Sequence, residues 1–544
     1  MMTSRQHTVV AVLLAIVGAY MVRIGATEIQ PTQEGAIAAR AEAVAEHGEW
    51  TDQSGHAPDG LSVAAKPPLS VWMAALGLRV MGKSPIAVRW FSLLSAAVAL
   101  VGTYLVARKL FPFEDALLAT VITGASLPIV LYSRLGNDAM PFTAGMMTAL
   151  WCVGVFAAPS RLLRIAVLVL LGVVCTACTL LMPFHAVVLV ILLCTITPAG
   201  LLRVHVAVMC VASVSVAAFW YGSMLHAYGE QFLLAYSVGH GAEGSFGPLD
   251  MIGRVLESSP LAILAIVWCS IAVTPHGKRL RESQPLVVVV ALWFVSITIA
   301  HSLFTDRTIS NAVVLVPAVA LLAIDVLRSV RALPRPSVLV SLYACLIVGG
   351  AWYAVTVLAT FVTVDAGIRW IALLIAIFVA AAVALRARAS ARFAKTAASR
   401  GYSRFVYGSV AVASAASLLI IVTGWPQRIE GGRATAAALA ADTAAVRTFV
   451  YVYHQSESQL PTNTQLGWYT NGWVYSWRTG FRYSSLAMPS NVYDPSVMEF
   501  ARGASWVVYY HPHNRKMGVA ANASMRDEYD VEVATRDYTV FRNR

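Results

Sequence analysis

Apolar runs of about 18–22 residues recur along this chain, and no other feature limits its fold so strongly. A run of that length crosses the hydrocarbon of a bilayer as a helix. In lipid every backbone polar group must be met within the protein, which leaves helices and closed barrels as the spanning forms. About thirteen spans are expected, near 8–24, 86–107, 115–133, 139–158, 163–181, 184–200, 204–222, 260–274, 285–304, 309–327, 337–357, 367–385 and 405–424. Pro183 alone divides the pair at 163–200. Only 12% of the 544 residues are charged, against roughly 25% in a soluble domain. The first run has the length of a signal peptide. No small-x-small cleavage site leads from it into a soluble domain and more spans follow, so it reads as an uncleaved first helix.

A net charge of +12 raises the question of nucleic acid. The position of the basic residues answers it. With the N-terminus inside, the cytoplasmic loops carry Arg108-Lys109, Arg161 and Arg164, Arg203, Lys278, Arg279 and Arg281, Arg328, Arg331 and Arg335, and the stretch from Arg386 to Arg404. Every strongly basic short loop falls on one side, the bias that orients membrane proteins, and nucleic acid is not called for. All seven cysteines lie in apolar runs, so the exported parts hold no disulfide framework. Cys175-x-x-Cys178 has a redox or metal spacing but stands mid-helix with no second pair, where packing is the simpler reading.

The expected fold is mainly α: a polytopic helical membrane domain over 1–425 and a small α/β extracytoplasmic domain over 426–544. The first external loop, 25–85, holds an Ala-rich helix at Ala36–Glu46 and an apolar, interfacial stretch at Leu69–Met81. A second long external loop, 223–259, is rich in Gly and His. In the tail, Ala434–Phe449 reads as helix, 449–453 and 505–510 as buried strands, and 529–533 with 538–541 as a closing strand pair. About 115 residues suffice for a core there.

Charge that close to lipid is costly and marks candidate functional residues. The first external loop supplies Gln33-Glu34-Gly35, then Gly48-Glu49-Trp50, then Lys66-Pro67-Pro68-Leu69, and Arg89 heads the second span. Tyr132-Ser-Arg134-Leu-Gly-Asn-Asp138 follows the third span, and Arg307 lies in an external turn before the tenth. By physical chemistry alone, Glu34 and Asp138 are candidate bases or helix N-terminal acids. Lys66, Arg89, Arg134 and Arg307 are candidate phosphate ligands or cations reaching for headgroups. His226, His240 and Glu243 fit no standard metal-ligand spacing, and neither does His511-Pro-His513. Trp468, Trp473 and Trp477 with Tyr469 and Tyr475 make an aromatic cluster that suits a small core better than a sugar platform.

Over about the first 330 residues these motifs resemble the polyprenyl-phosphate-dependent glycosyltransferases of the type-C membrane fold, the group of lipid A aminoarabinose transferases and protein O-mannosyltransferases. The stretch from Gln33 to Trp50 fits that family's first external loop without a gap. The resemblance implies thirteen spans and a C-terminal external domain. It also implies transfer of a sugar from a polyprenyl-phosphate donor to a lipid, glycan or protein acceptor at the extracytoplasmic face of the membrane, and the richness in Ala, Val and Arg suggests a GC-rich bacterium and so its plasma membrane. Glu34 and Asp138 would then serve the acceptor, with Gln33 lining the substrate site. Lys66, Arg89, Arg134 and Arg307 would hold the donor phosphate. No metal or other cofactor need be invoked. The chain departs from the family at Gln33, where an acid is usual, and at Asn311, where an aromatic is common. The first departure keeps a non-catalytic membrane subunit open as a rival. A transporter of lipid-linked sugars is the other rival, although repeated halves and broken mid-membrane helices, its usual signs, are not legible here.

Overall fold

The computed structural model describes residues 3–30, 33–48, 50–51, 68–155, 160–196, 201–230, 232, 256, 259, 261–272, 285–303, 310–332, 347–355, 432–441, 447–454, 481–488, 506–510, 529–535 and 538–543. Two compact units emerge. One comprises Met1–Arg23, Pro67–Leu69 and Phe91–Pro426, and the other Ile24–Lys66, Ser70–Trp90 and Gln427–Arg544. Each is taken by itself. The expected spans near 367–385 and 405–424 lie outside the described residues, and that near 337–357 is described, as helix, only at 347–355.

The first unit is helical. Its elements are α1 (Ser4–Met21), α4 (Pro85–Leu110, from Phe91 onward), α5 (Phe113–Ala125), α6 (Leu127–Tyr132), α7 (Ala139–Val155), α8 (Arg161–Thr179), α9 (Pro183–Ile196), α10 (Leu201–Tyr228), α11 (Ala262–Ala272), α12 (Pro285–Leu303) and α13 (Ser310–Ala332). Helices α1, α4, α8, α10 and α13 are long and apolar enough to cross a membrane. The axis of the unit is α13, buried along almost all of its apolar length and packed by α5, α6, α7, α11 and α12. By contrast α8 and α10 turn Leu162, Val169, Val173, Val208, Val211 and Phe219 outward, as lipid-facing helices do.

The expected single span at 115–133 is two helices. Pro128 has no N–H, and in a continuous helix its ring would clash with the carbonyl of residue 124. The chain accordingly turns extended at Ser126 (φ −69°, ψ 135°) and restarts with Pro128 in the first turn of α6. The Leu127 N–H, freed by the break, is met by the buried Tyr353 hydroxyl at 3.2 Å. This meets the demand for internal partners in lipid. The pair expected at 163–200 is α8 and α9, with Pro183 opening the second helix, where its missing N–H costs nothing.

Close helix approach relies on small residues. A Cβ on Gly102 would stand 2.7 Å from Met147 Cβ, and one on Gly145 2.6 Å from Cys178 Sγ, so Cys178 fills space that a missing side chain leaves. Polar ties cross the same interfaces. Tyr20 donates its hydroxyl to Gly124 O (2.5 Å), Ser213 to Gly172 O (2.9 Å), and Trp268 Nε1 to Asp325 Oδ2 (2.8 Å). Arg328 reaches Asp115 Oδ2 (3.4 Å) and Leu110 O (3.2 Å) from α13.

The second unit holds α2 (Gln33–His47), α3 (Leu69–Met81, from Ser70), the first turn of α4, α14 (Gly432–Ala441) and a five-stranded sheet. Glycines end the two loop helices. Gly48 (φ 77°) donates to Val44 O, and Gly82 (φ 72°) to Leu78 O, both at 2.9 Å. The strands are β1 (Arg447–His454), β2 (Phe481–Met488), β3 (Trp506–Tyr510), β4 (Tyr529–Ala534) and β5 (Tyr538–Asn543), in the order β2-β1-β3-β5-β4. β1 is parallel to β2 and β3, whereas β5 is antiparallel to β3 and β4. A helix reaching Phe449 is therefore corrected. α14 ends at Ala441 and Arg447-Thr-Phe-Val-Tyr-Val-Tyr is strand, as β-branched and aromatic residues favour. β2 carries no clear alternation, and the sequence reading passed over it.

Two glycine substitutions test the packing. A Cβ on Gly77 of α3 would collide with Ala87 O and Trp90 Nε1 of α4, whereas one on Gly18 of α1 meets nothing within 4 Å. Gly77→Ala is expected to lower stability by about 1–3 kcal/mol, and Gly18→Ala to raise it by about 0.5–1 kcal/mol. Thermal unfolding in detergent checks both, and equal effects would contradict the helix approach described.

Candidate active site

In the second unit, Glu34 opens the first turn of α2 and Arg89 stands in the first turn and a half of α4, 55 residues away. They form a two-pronged ion pair. Arg89 Nε donates to Glu34 Oε1 at 2.6 Å and Nη2 to Oε2 at 2.9 Å. Both side chains are removed from solvent, Arg89 at 0% exposure and Glu34 at 2%. The other guanidinium donors are also engaged. Nη1 serves Ile24 O (2.6 Å) and Thr27 (O at 3.1 Å, Oγ1 at 2.5 Å), while Nη2 also serves Glu28 O (2.9 Å). The Gln30 N–H adds a third bond to the carboxylate, 2.9 Å from Oε2.

This arrangement has a chemical consequence. Guanidinium has five N–H groups, and the protein engages all of them here, so none remains for a phosphate. Glu34 is a charge-neutralised partner whose two oxygens accept three hydrogen bonds. The pair fixes the approach of residues 24–30 to α2. The sequence showed two charges but not that each would find the other. Gln33 is the residue before Glu34 at the head of α2. Lys66 and Arg307 lie outside the described residues, as do His240, Glu243, His511, His513 and the aromatic cluster at 468–477. His226 is exposed in the last turn of α10.

The loop around α2 and α3 has further ties. Trp72 Nε1 donates to Trp50 O (2.6 Å), the Arg79 guanidinium lies over the Trp50 ring at 5.1 Å, and Arg79 Nε donates to Ala45 O (3.3 Å). Lys83 pairs with Glu42. Trp50, at the end of the Gly-Glu-Trp motif, is thus a packing post between the two helices.

In the first unit, Asp138 stands at the head of α7, where its carbonyl takes the first helical bond from Phe142 N (3.1 Å). The neighbour Asn137 performs the side-chain capping, its Oδ1 accepting from Met140 N at 2.8 Å. Asn137 is buried, and its Nδ2 donates to Tyr132 O (2.6 Å), Leu135 O (2.7 Å) and Ser92 Oγ (3.3 Å). Asp138 itself is partly exposed. Sequence reasoning gave Asn137 no role, although an Asn before an apolar run is a cap signal. Arg134 is nearly buried, and its Nη2 donates to Val22 O just past the end of α1, at 2.8 Å.

The structure predicts a clear ranking of ion pairs. Leaving one member of a buried pair costs about 3–5 kcal/mol, whereas an exposed pair is worth about 0–1 kcal/mol. Arg89→Lys, which cannot supply five donors, and Glu34→Gln should each lower the thermal midpoint far more than Lys83→Met. Similar midpoints for all three would contradict the closed Glu34–Arg89 pair.

Residues 65–221 match the family described as dolichyl-phosphate-mannose-protein mannosyltransferase, which leaves Gln33 and Glu34 outside the match. The apo crystal structure of ArnT from Cupriavidus metallidurans aligns with a TM-score of 0.59 at 16% identity, covering 99% of this chain and 98% of that one. The same protein bound to undecaprenyl phosphate aligns at 0.60, again at 16% identity, over 98% and 97%. Arabinosyltransferase EmbB from Mycobacterium smegmatis aligns at 0.51 and 12% identity, over 78% of this chain and 41% of that one. An uncharacterized protein of Aquifex aeolicus is 32% identical over 79 residues, which is 14% of this chain and 16% of that relative. The resemblance drawn from the external-loop motifs is thereby borne out at the level of fold. This chain is a multi-pass membrane protein with the type-C glycosyltransferase fold.

Proposed function

We propose that this protein is a membrane glycosyltransferase that takes a sugar from a polyprenyl-phosphate donor at the extracytoplasmic face of a bacterial plasma membrane. The observation that carries this reading is the alignment over nearly the whole of both chains with ArnT, in a structure that holds undecaprenyl phosphate. The N-terminus lies in the cytoplasm. The residues from 426 onward form an extracytoplasmic domain, and the acceptor is a hydroxyl or phosphate of a lipid, glycan or protein.

In the transfer, the bond from the sugar's anomeric carbon to the phosphate oxygen breaks and one to the acceptor oxygen forms. The acceptor's proton leaves, and polyprenyl phosphate departs with its negative charge. Asp138, partly exposed at the head of α7, takes that proton or steadies the positive charge growing on the sugar. Lys66, Arg134 and Arg307 hold the departing phosphate. Glu34 and Arg89 act through geometry, fixing the loop segment that carries Gln33, and Gln33 offers an amide to a sugar or acceptor hydroxyl. Binding without turnover, as in a non-catalytic subunit, is the reading that Gln33 favours.

Release of polyprenyl phosphate by the purified protein in lipid, offered a panel of polyprenyl-phosphate sugars, separates the two. Asp138→Asn is expected to lower turnover by about 10²–10⁴-fold with the thermal midpoint unchanged. Absence of release with every donor, from protein that remains folded, would turn the reading to the subunit.

A further inference from the structure

The turn between α4 and α5, Leu110-Phe111-Pro112-Phe113, takes no part in the transfer, yet arginines from three helices converge on it. Arg108, near the end of α4, donates Nη1 to Phe111 O at 2.8 Å. Arg328 of α13 donates Nη1 to Leu110 O at 3.2 Å, and its guanidinium lies 5.4 Å from the centre of the Phe111 ring. Arg5, in the first turn of α1, lies over the Phe113 ring, also at 5.4 Å. Successive Cα atoms are about 3.8 Å apart, so the guanidinia of Arg108 and Arg328, bound to successive carbonyls, stand within about 10 Å of each other.

These charges are unevenly answered. Asp115 Oδ2 takes Arg328 Nε at 3.4 Å. Among the described residues no carboxylate pairs with Arg5 or Arg108, no acceptor meets the Arg5 guanidinium, and one carbonyl meets that of Arg108. Arg89, whose donors are all engaged, is the opposite case. Arg5, Arg108 and Arg328, with Lys109 beside them, are four cations against the two carboxylates of Glu114 and Asp115. The backbone favours an anion as well. Pro112 has no side chain able to cap α5, so the N–H groups of Phe113 and Glu114 meet no capping oxygen. An uncapped helix N-terminus attracts negative charge.

Depth identifies the anion's source. Helices α1, α4 and α13 are long and apolar enough to cross a membrane, and the three arginines stand at the ends that meet on this turn, where headgroups lie. Arg5 and Arg108 are exposed there. Guanidinium forks match phosphate oxygens, and basic clusters between helix ends hold anionic headgroups.

We infer that this turn is a binding site for one anionic phospholipid, its phosphate held by Arg5 and Arg108 over the head of α5. The lipid belongs to the leaflet on the side of the N-terminus, cytoplasmic in the orientation proposed above. The site does not depend on the donor reading, and a lipid seated there ties α1, α4, α5 and α13 together at one end.

The full chain, delipidated in detergent, is titrated with phosphatidylglycerol and separately with phosphatidylcholine, and bound lipid is counted by native mass spectrometry. One phosphatidylglycerol should bind well ahead of any phosphatidylcholine. Arg5→Gln should weaken that binding about tenfold or more, the worth of one charge-assisted hydrogen bond. Arg5→Lys, which keeps the charge without the fork, should fall between. Arg5→Gln combined with Arg108→Gln should abolish the preference for phosphatidylglycerol. The Arg5 side chain donates no hydrogen bond among the described residues, so the thermal midpoint of Arg5→Gln in phosphatidylcholine should match wild type. Arg164→Gln removes an exposed arginine from α8, which packs on α7, α9 and α10, and should leave the binding unchanged. An equal loss in Arg164→Gln would reduce the effect to bulk charge and overturn the site. Unchanged binding in the double variant overturns it as well. Displacement of the lipid by inorganic phosphate would make this a site for soluble anions and overturn the lipid assignment.

Discussion

Water is absent from the interior of a bilayer, and the arrangement of the membrane unit follows from that absence. A polar group left without a partner there costs several kcal/mol, so each break in a helix must bring its own remedy. Pro128 breaks the third apolar run, and the Leu127 N–H finds the hydroxyl of Tyr353, 226 residues away in sequence. Asp325 lies buried on the central helix and accepts from Trp268. The chain can break a helix at 126–128 only because a distant tyrosine arrives to meet it. Local sequence and tertiary fold are interdependent at that point.

The same constraint governs Glu34 and Arg89. A lone charge at that burial would be untenable, and the two neutralise each other while carbonyls of residues 24, 27 and 28 absorb the remaining guanidinium hydrogens. Such a site is stable because it is complete, and a complete site makes a poor ligand. We propose that chemistry falls instead to partly exposed groups such as Asp138. Beside it, Asn137 supplies the side-chain cap.

Much of this was legible in the sequence. The apolar runs gave α1, α4 and α7 to α13 within a few residues, the Gly-Glu-Trp and Lys-Pro-Pro-Leu motifs located α2 and α3, and the fold resemblance followed from them. What escaped has physical reasons. The run at 115–133 is so apolar that hydropathy outweighs the single Pro128. The Ala-rich stretch after 432 is helical, but it passes into Thr-Phe-Val-Tyr-Val-Tyr, whose strand character depends on neighbours from 481–488 and 506–510. β2 is a parallel edge strand in which Ser484-Ser485 blurs any alternation. Glu34 and Arg89 were both visible as charges. Their pairing is a long-range event, and the backbone carbonyls that saturate Arg89 bear no residue signature.

The central claim is that Arg89 belongs to Glu34 and that the donor phosphate is held by other cations. A high-resolution map of the protein with undecaprenyl phosphate bound tests it most directly. The account predicts that the Nε–Oε1 and Nη2–Oε2 bonds stay closed, with phosphate density touching neither residue. A phosphate found on the Arg89 guanidinium, with Glu34 displaced, would contradict it.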